Sequence, residues 1–171
     1  MDAPSQWVAR WADHITRGPL LDVACGKGRH ARYFAERGLE VVAVDREQQV
    51  LGSGIFFVRA DLENGSPWPF EGRRFAAIIV TNYLHRALFP LLESSLDDGG
   101  ILLYETFMLG NERFGRPSNP AFLLRPGELL EAFKGLSVVA FEQGRVERPK
   151  PAVVQRLCAL RGRAESAKIS A

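Results

Sequence analysis

The sequence predicts an α/β fold, a doubly wound and mostly parallel sheet of seven strands with helices on both faces. Three observations carry that reading. Short apolar runs rich in β-branched residues alternate with segments of helical spacing along nearly the whole chain. Most of the stretches between them are short and concentrate Gly, Pro, Asn and Asp. The first apolar run leads straight into a glycine turn and an amphipathic helix, LLDVACGKGRHARYFAERG from Leu20 to Gly38. Right-handed parallel crossovers at this rhythm place ligands beyond the C-terminal strand ends.

Taken in order, Trp7, Val8, Trp11 and Ile15 form one face of an N-terminal helix, closed by Gly18 and Pro19. Leu20, Leu21 and Val23 make the first strand. Ala31, Phe34 and Ala35 recur on one side of the next helix, and Gly38 ends it. Leu39 to Asp45, Ile55 to Asp61 and Phe75 to Thr81 read as strands two to four, with the surface loop ENGSPWPFEGRR between the last two. Leu84, Leu88, Leu91, Leu92 and Leu96 keep helical spacing, and a turn at Asp97-Asp98-Gly99-Gly100 leads into a fifth strand, ILLYE. The rhythm then breaks at Thr106 to Arg125, a long irregular segment and candidate lid. A short helix from about Pro126 to Phe133 precedes two last strands, Leu136 to Glu142 and Val153 to Arg161.

At 171 residues the chain reads as one domain over 1–161 with a flexible tail over 162–171. A net charge of +2 with dispersed arginines carries no nucleic-acid footprint. The segment MDAPSQWVARWADHITRG has neither a basic leader nor an apolar core, and no apolar run approaches the ~18 residues of a membrane span. A cytoplasmic protein without a membrane partner is therefore expected. Cys25 and Cys158 lack metal-ligand spacing, so reduced thiols and no metal are expected, with Cys25 a small side chain that fits the glycine turn.

The chemistry concentrates at strand ends. Gly26 and Gly28 bend the chain and admit a ligand close to its backbone. Asp22, at the end of the strand just before them, decides which ligand. A carboxylate there repels a pyrophosphate, whereas S-adenosyl-L-methionine has no phosphate and carries an ammonium and a positive sulfur that an acid attracts directly or through water. Gly26, Gly28 and Ala31 also satisfy the looser G-x-G-x-x-A dinucleotide pattern, which keeps an NAD-dependent oxidoreductase as an alternative. Asp45, ending strand two, can accept from both ribose hydroxyls of an adenosine; its structural alternative is an N-cap before Arg46 to Leu51. Asp61, ending strand three, can accept from the adenine amine while Leu62 offers its backbone N–H to a ring nitrogen. Its structural alternative is a turn aspartate.

DVACGKG from Asp22 to Gly28, Asp45, Asp61 and the seven-strand pattern together resemble the class I S-adenosylmethionine-dependent methyltransferases over nearly the whole chain. The resemblance implies a Rossmann-like methyltransferase sheet with an antiparallel last strand. It implies that the turn holding Ala24, Gly26 and Gly28 contacts the methionine moiety, Asp45 the ribose, and Asp61 with Leu62 the adenine. It further implies that Thr81, Asn82 and Tyr83 lie near the methyl group, and that S-adenosyl-L-homocysteine is the product. Ala24 departs from the commoner glycine, and Ala76 stands where an Asp often follows the Phe. The compact form also resembles the tellurite-resistance and other small-molecule methyltransferases.

Methyl transfer from a sulfonium is an in-line displacement from an activated donor, so positioning does most of the work. For an acceptor that must lose a proton, His85 and Glu105 are the nearest bases, and Tyr83 is a third catalytic candidate. In the candidate lid, Phe107, Phe114 and Phe122 offer apolar walls, and Asn111, Arg113 and Arg116 offer contacts to an anionic or polar acceptor. A small-molecule acceptor is favoured because the chain shows no appended RNA- or protein-binding module. Nucleic acid stays open as acceptor, as do the oligomeric state and a non-catalytic adenosyl-ligand-binding role.

Overall fold

Seven strands form one sheet in the computed structural model, which describes residues 3–168: β1 (Leu20–Val23), β2 (Val41–Asp45), β3 (Ile55–Arg59), β4 (Phe75–Thr81), β5 (Leu96–Phe107), β6 (Ser137–Val146) and β7 (Ala152–Leu160). Their order is β3-β2-β1-β4-β5-β7-β6, and every pairing is parallel except the two made by β7, which runs antiparallel between β5 and β6. The central strands are apolar on both sides because both sides are covered. On one face α1 (Gln6–Trp11) and α2 (Arg29–Glu36) bring Trp7, Val8, Ala31 and Phe34 onto Leu20, Val41, Ala77 and Ile79. On the other, α3 (Phe89–Ser94) and α4 (Glu128–Ala132) bring Phe89, Leu92 and Leu129 onto Leu21, Ile78 and Leu102.

Local chemistry fixes the ends of these elements. Ser5 caps α1 by accepting from the Val8 N–H, and the Trp7 indole donates to the Leu157 carbonyl, docking the helix onto β7. Gly38, at φ +82°, closes α2 with its N–H on the Ala35 carbonyl.

Three segments differ from the sequence reading. The helix expected over Leu84 to Leu96 is a 3-10 turn at Arg86–Leu88 followed by the short α3. It stops because fully buried Leu96 pairs with Phe75, so β5 begins there and takes in the Asp97-Asp98-Gly99-Gly100 turn as a register irregularity. Residues 46–54 join β2 to β3 without a helix, which removes the helix that Asp45 would have capped. Residues 164–166 of the expected tail form a 3-10 turn, and 169–171 lie outside the described residues. No helix among the described residues is long and apolar enough to cross a membrane.

The irregular segment after β5 is anchored rather than loose. Met108 bridges to Leu124, and the Leu109 N–H donates to the Leu124 carbonyl. Buried Asn111 ties the segment to itself and to β7, donating to the Pro117 carbonyl and accepting from the Val153 N–H.

Candidate functional site

A cleft of about 600 Å³ opens across the C-terminal ends of β1 to β5. Its centre is the junction of β1 and β4, where the strand order reverses and ligands of doubly wound sheets bind. Ala24 and Asn82, just beyond these two strands, are the only non-glycine residues with positive φ among the described residues, at 51° and 54°. Holding Ala24 there costs on the order of 1–2 kcal/mol; asparagine adopts the region more readily. Two left-handed residues just past adjacent strand ends make this the most unusual stretch of backbone in the cleft wall.

The glycine turn is built from two left-handed residues, one of which leaves room for close approach. A Cβ on Gly26 (φ +52°) would meet nothing within 4 Å, so its backbone faces open cleft. A Cβ on Gly28 (φ +73°) would fall 2.5 Å from Leu51 Cδ2, the end of a side chain that can shift, so it is the left-handed conformation that calls for glycine here. As the residue capping α2, Gly28 has no side chain to offer the first turn. Asp22 supplies it: Oδ2 accepts from the Ala31 N–H at 3.0 Å. Asp22 is only 1% exposed and does not line the cleft, and burial pushes its pKa up to about 7. The strand-end acid read as facing the sulfonium therefore lies beneath the turn and shapes it.

Asp45 ties the turn to β2. Its Oδ2 accepts from the Gly26 N–H at 2.8 Å and its Oδ1 from the Glu47 N–H at 3.0 Å. A carboxylate has about four acceptor sites, which leaves capacity towards the cleft that Asp45 lines. Asp61 also lines the cleft, next to Leu62, while Oδ1 accepts from the Glu63 N–H at 2.9 Å. The turn role and the cleft position coexist in this one residue. Glu47 and Glu63 add two carboxylates to the same wall, and Lys27 and Gln49 join them. Sequence reasoning passed over all four; the signal for the two glutamates was their place two residues past a strand-end aspartate, where that aspartate holds the backbone.

Ala24, Gly26, Asp45, Asp61, Leu62, Asn82 and Tyr83 thus converge on one cleft, whereas Asp22, Gly28 and Thr81 support it from behind. Thr81 Oγ1 lies 3.4 Å from Nδ1 of His30, a residue 2% exposed whose Nε2 accepts from the Ser5 N–H at 3.1 Å. Since Nε2 accepts, Nδ1 carries the proton, and burial holds the ring neutral with its pKa near 3. This chain of contacts locks the start of α1, α2 and the end of β4 together.

Two of the three catalytic candidates are elsewhere. His85 lines an adjoining hollow with Trp68 and Leu88, not the cleft. Glu105 is buried and ion-paired with Arg156, its partner across the β5–β7 register, so it serves the sheet and has no free carboxylate to offer as a base. Tyr83 does line the cleft; burial and the neighbouring Glu63 hold its phenol above its ordinary pKa, so it is a neutral hydroxyl. In the anchored segment Phe107, Pro117 and Phe122 wall the cleft. Asn111, Arg113, Phe114 and Arg116 do not, and Phe114 sits under the Arg145 guanidinium at 4.7 Å. Cys25 is buried, its thiol pushed up to about 12 by burial and two neighbouring aspartates, and acts as filler.

Residues 20–98 match the family model described as a methyltransferase domain. The chain also superposes on TehB from Haemophilus influenzae with a TM-score of 0.78 at 16% identity, covering 95% of this chain and 64% of that one. A 1,6-didemethyltoxoflavin-N1-methyltransferase from Burkholderia thailandensis, solved with its acceptor and S-adenosylhomocysteine, gives 0.66 at 20% identity over 92% and 77% of the two chains. The N-methyltransferase NodS from Bradyrhizobium japonicum gives 0.68 at 14% identity over 91% and 93%. No curated protein matches the sequence. Residues 20–98 are thus similar to a methyltransferase domain, and the chain as a whole shares the fold of these methyltransferases, with the sheet order and antiparallel β7 described above.

Proposed function

We propose that this chain, acting as a single domain, transfers a methyl group from S-adenosyl-L-methionine to a small-molecule acceptor, in the cytoplasm where Cys25 and Cys158 stay reduced. The observation that carries the reading is the cleft at the β1–β4 junction, whose ligand-facing glycine backbone is fixed by Asp45 and whose far wall holds Asp61 and two glutamates. Such a wall repels a pyrophosphate and suits an adenosyl ligand with a cationic sulfur. This disfavours the nicotinamide alternative despite the glycine pattern.

The residues fit that ligand. Gly26 leaves open space at its backbone, Asp45 has spare acceptor capacity for ribose hydroxyls, and Asp61 with the Leu62 N–H frames an adenine edge. When bound, S-adenosylmethionine supplies an electrophilic methyl group whose bonding pair stays with sulfur as the acceptor's lone pair forms the new bond. Asn82, Tyr83, Phe107 and Phe122 line the acceptor end, where they orient the nucleophile and exclude water. Neither imidazole nor carboxylate occurs among those four, so alignment, which can recover roughly 7–11 kcal/mol of barrier, is the main contribution of this wall. The Tyr83 hydroxyl is available to the acceptor as a hydrogen-bond partner.

Asp45→Ala tests the assignment. Calorimetric titration with S-adenosylhomocysteine is expected to show affinity weakened by about 1–3 kcal/mol, with the thermal unfolding transition still cooperative. Unchanged affinity in a folded variant removes Asp45 from the site.

A further inference from the structure

The acceptor end of the cleft holds one hydroxyl that the fold does not use. Thr106, the penultimate residue of β5, is 1% exposed and lines the cleft. Its hydroxyl has no hydrogen-bond partner among the described residues, yet it is not sealed from solvent, as Trp11 Nε1 and His14 Nδ1 are. The little surface that Thr106 keeps is therefore this oxygen, opening on the cleft. Its strand neighbours are committed, Tyr104 donating to the Tyr83 carbonyl and Glu105 pairing with Arg156. Beside it Asn82, whose backbone N–H donates to the Glu105 carbonyl, brings a side-chain amide to the same wall. A hydroxyl and an amide offer donors and acceptors without charge.

Two further observations narrow what these groups meet. Phe122 is 49% exposed, yet it is no loose surface ring, because the Arg86 guanidinium holds the carbonyls of Ala121 and Leu123 on either side of it. With Phe107, Pro117 and the ring of Tyr83 it gives this end flat apolar walls. The second observation is charge. Asp45, Glu47, Asp61 and Glu63 line the cleft against Lys27 and Arg46, and Arg46 lies 3.8 Å from Glu47. An anionic acceptor would enter a field of its own sign. An uncharged one that takes over the positive charge of the sulfonium is stabilised as it reacts, by carboxylates and by aromatic faces.

We propose that the acceptor is an uncharged planar heteroaromatic, its ring against Phe107 and Phe122, one heteroatom hydrogen-bonded by the Thr106 hydroxyl, and an unprotonated ring nitrogen as the nucleophile. The inference rests on the methyl-transfer reading and names its substrate class. The nitrogen lone pair forms the new N–C bond while the C–S bonding pair stays with sulfur, so the positive charge passes to the ring and no proton has to leave. That balance suits a wall without a base, since Glu105 is committed to Arg156 and His85 lies outside the cleft.

The probes are quinoxaline and quinazoline, neutral bicyclic rings with two nitrogens each, and quinoxaline-2-carboxylate is the charged control. Calorimetric titration with S-adenosylhomocysteine comes first, and the probes are then titrated into the saturated complex. The expected result is saturable binding of at least one neutral probe, about tenfold or more tighter than the carboxylate. Thr106→Val removes the hydroxyl at nearly constant volume and is expected to weaken that probe about fivefold, with the S-adenosylhomocysteine affinity held within about twofold. Thr106→Ser keeps the hydroxyl and is expected to restore binding. The proposal is overturned if neither neutral probe binds saturably, if the carboxylate binds as tightly, or if Thr106→Val changes nothing or weakens both ligands alike. Each of these failures leaves the methyl-transfer reading standing while S-adenosylhomocysteine binds; a protein that does not bind S-adenosylhomocysteine at all fails that reading, and the acceptor class falls with it.

Discussion

At the scale of single residues, the cleft is held by groups that do not themselves line it. Asp22 and His30 are both buried and hydrogen-bonded to backbone, and their pKa values are displaced in opposite directions. The folded state keeps the Asp22 proton up to about pH 7, whereas the unfolded chain releases it near its ordinary value of 3.8. Asp22 therefore withdraws stability as pH rises through that window. His30 refuses a proton that the unfolded chain accepts near 6.5, so its contribution is lost as pH falls towards about 3. The two slopes offset one another over the shared range, and above it Asp22 acts alone. Asp22→Asn is accordingly expected to gain stability relative to the parent as pH rises from 3.8 to about 7 and to hold that gain above it, measured by urea unfolding at each pH. A difference independent of pH contradicts the burial account. Ala24 gives a second residue-scale expectation. Replacing it with glycine relieves the positive φ, and after the added entropy of the unfolded chain up to about 1 kcal/mol of stabilisation remains, read as a higher urea midpoint at unchanged slope. A lower midpoint would show that the alanine methyl contributes packing that outweighs the strain.

At the scale of elements, strands and the helices flanking β1 were legible in the sequence because their signals are local: β-branched runs, helical spacing, and glycine or proline at the ends. Partners across the sheet were not. Glu105 reads as a free strand-end acid until β7 folds back and sets Arg156 opposite it, a pairing fifty-one residues away in sequence. Leu96 kept the spacing of a helix and was claimed by the start of β5 instead, paired with Phe75 of β4. The segment after β5 shows the same limit. Its irregularity was evident, but not what pins it: the Arg86 guanidinium donates to the Ala121 and Leu123 carbonyls on either side of Phe122 and forks onto Glu128. Glu128 is 5% exposed, so without Arg86 its buried carboxylate keeps only the Arg125 N–H and the more distant Arg125 guanidinium at 3.6 Å. Arg86→Met is expected to destabilise the protein by several kcal/mol at most and to speed amide hydrogen exchange in residues 107–125 ahead of the sheet. Uniform acceleration across the chain would mean that the clamp does not act locally.

At the scale of the whole molecule, one sheet separates two chemically different poles. The C-terminal strand ends carry the left-handed residues, the glycine turn and the carboxylates, and the opposite ends carry a largely apolar hollow. The connections are minimal: β2 joins β3 through nine residues without a helix, and β3 joins β4 through a turn-rich loop. The expected ligand class rested on three strand-end acids, two of which, Asp45 and Asp61, line the cleft. The third was misplaced because a sequence shows that an acid ends a strand but not that a side-chain-free cap at Gly28 will draw it under the helix. Tyr83, Phe107 and Phe122, the proposed acceptor wall, come together only in three dimensions.

The central claim is that the cleft at the β1–β4 junction is an adenosyl site rather than a dinucleotide site. Parallel calorimetric titration of the protein with S-adenosylmethionine, S-adenosylhomocysteine and NAD tests it most directly. Saturable binding of the two adenosyl ligands at micromolar or tighter concentration, with no heat of binding from NAD, is the predicted result; saturable binding of NAD without the adenosyl ligands would contradict it.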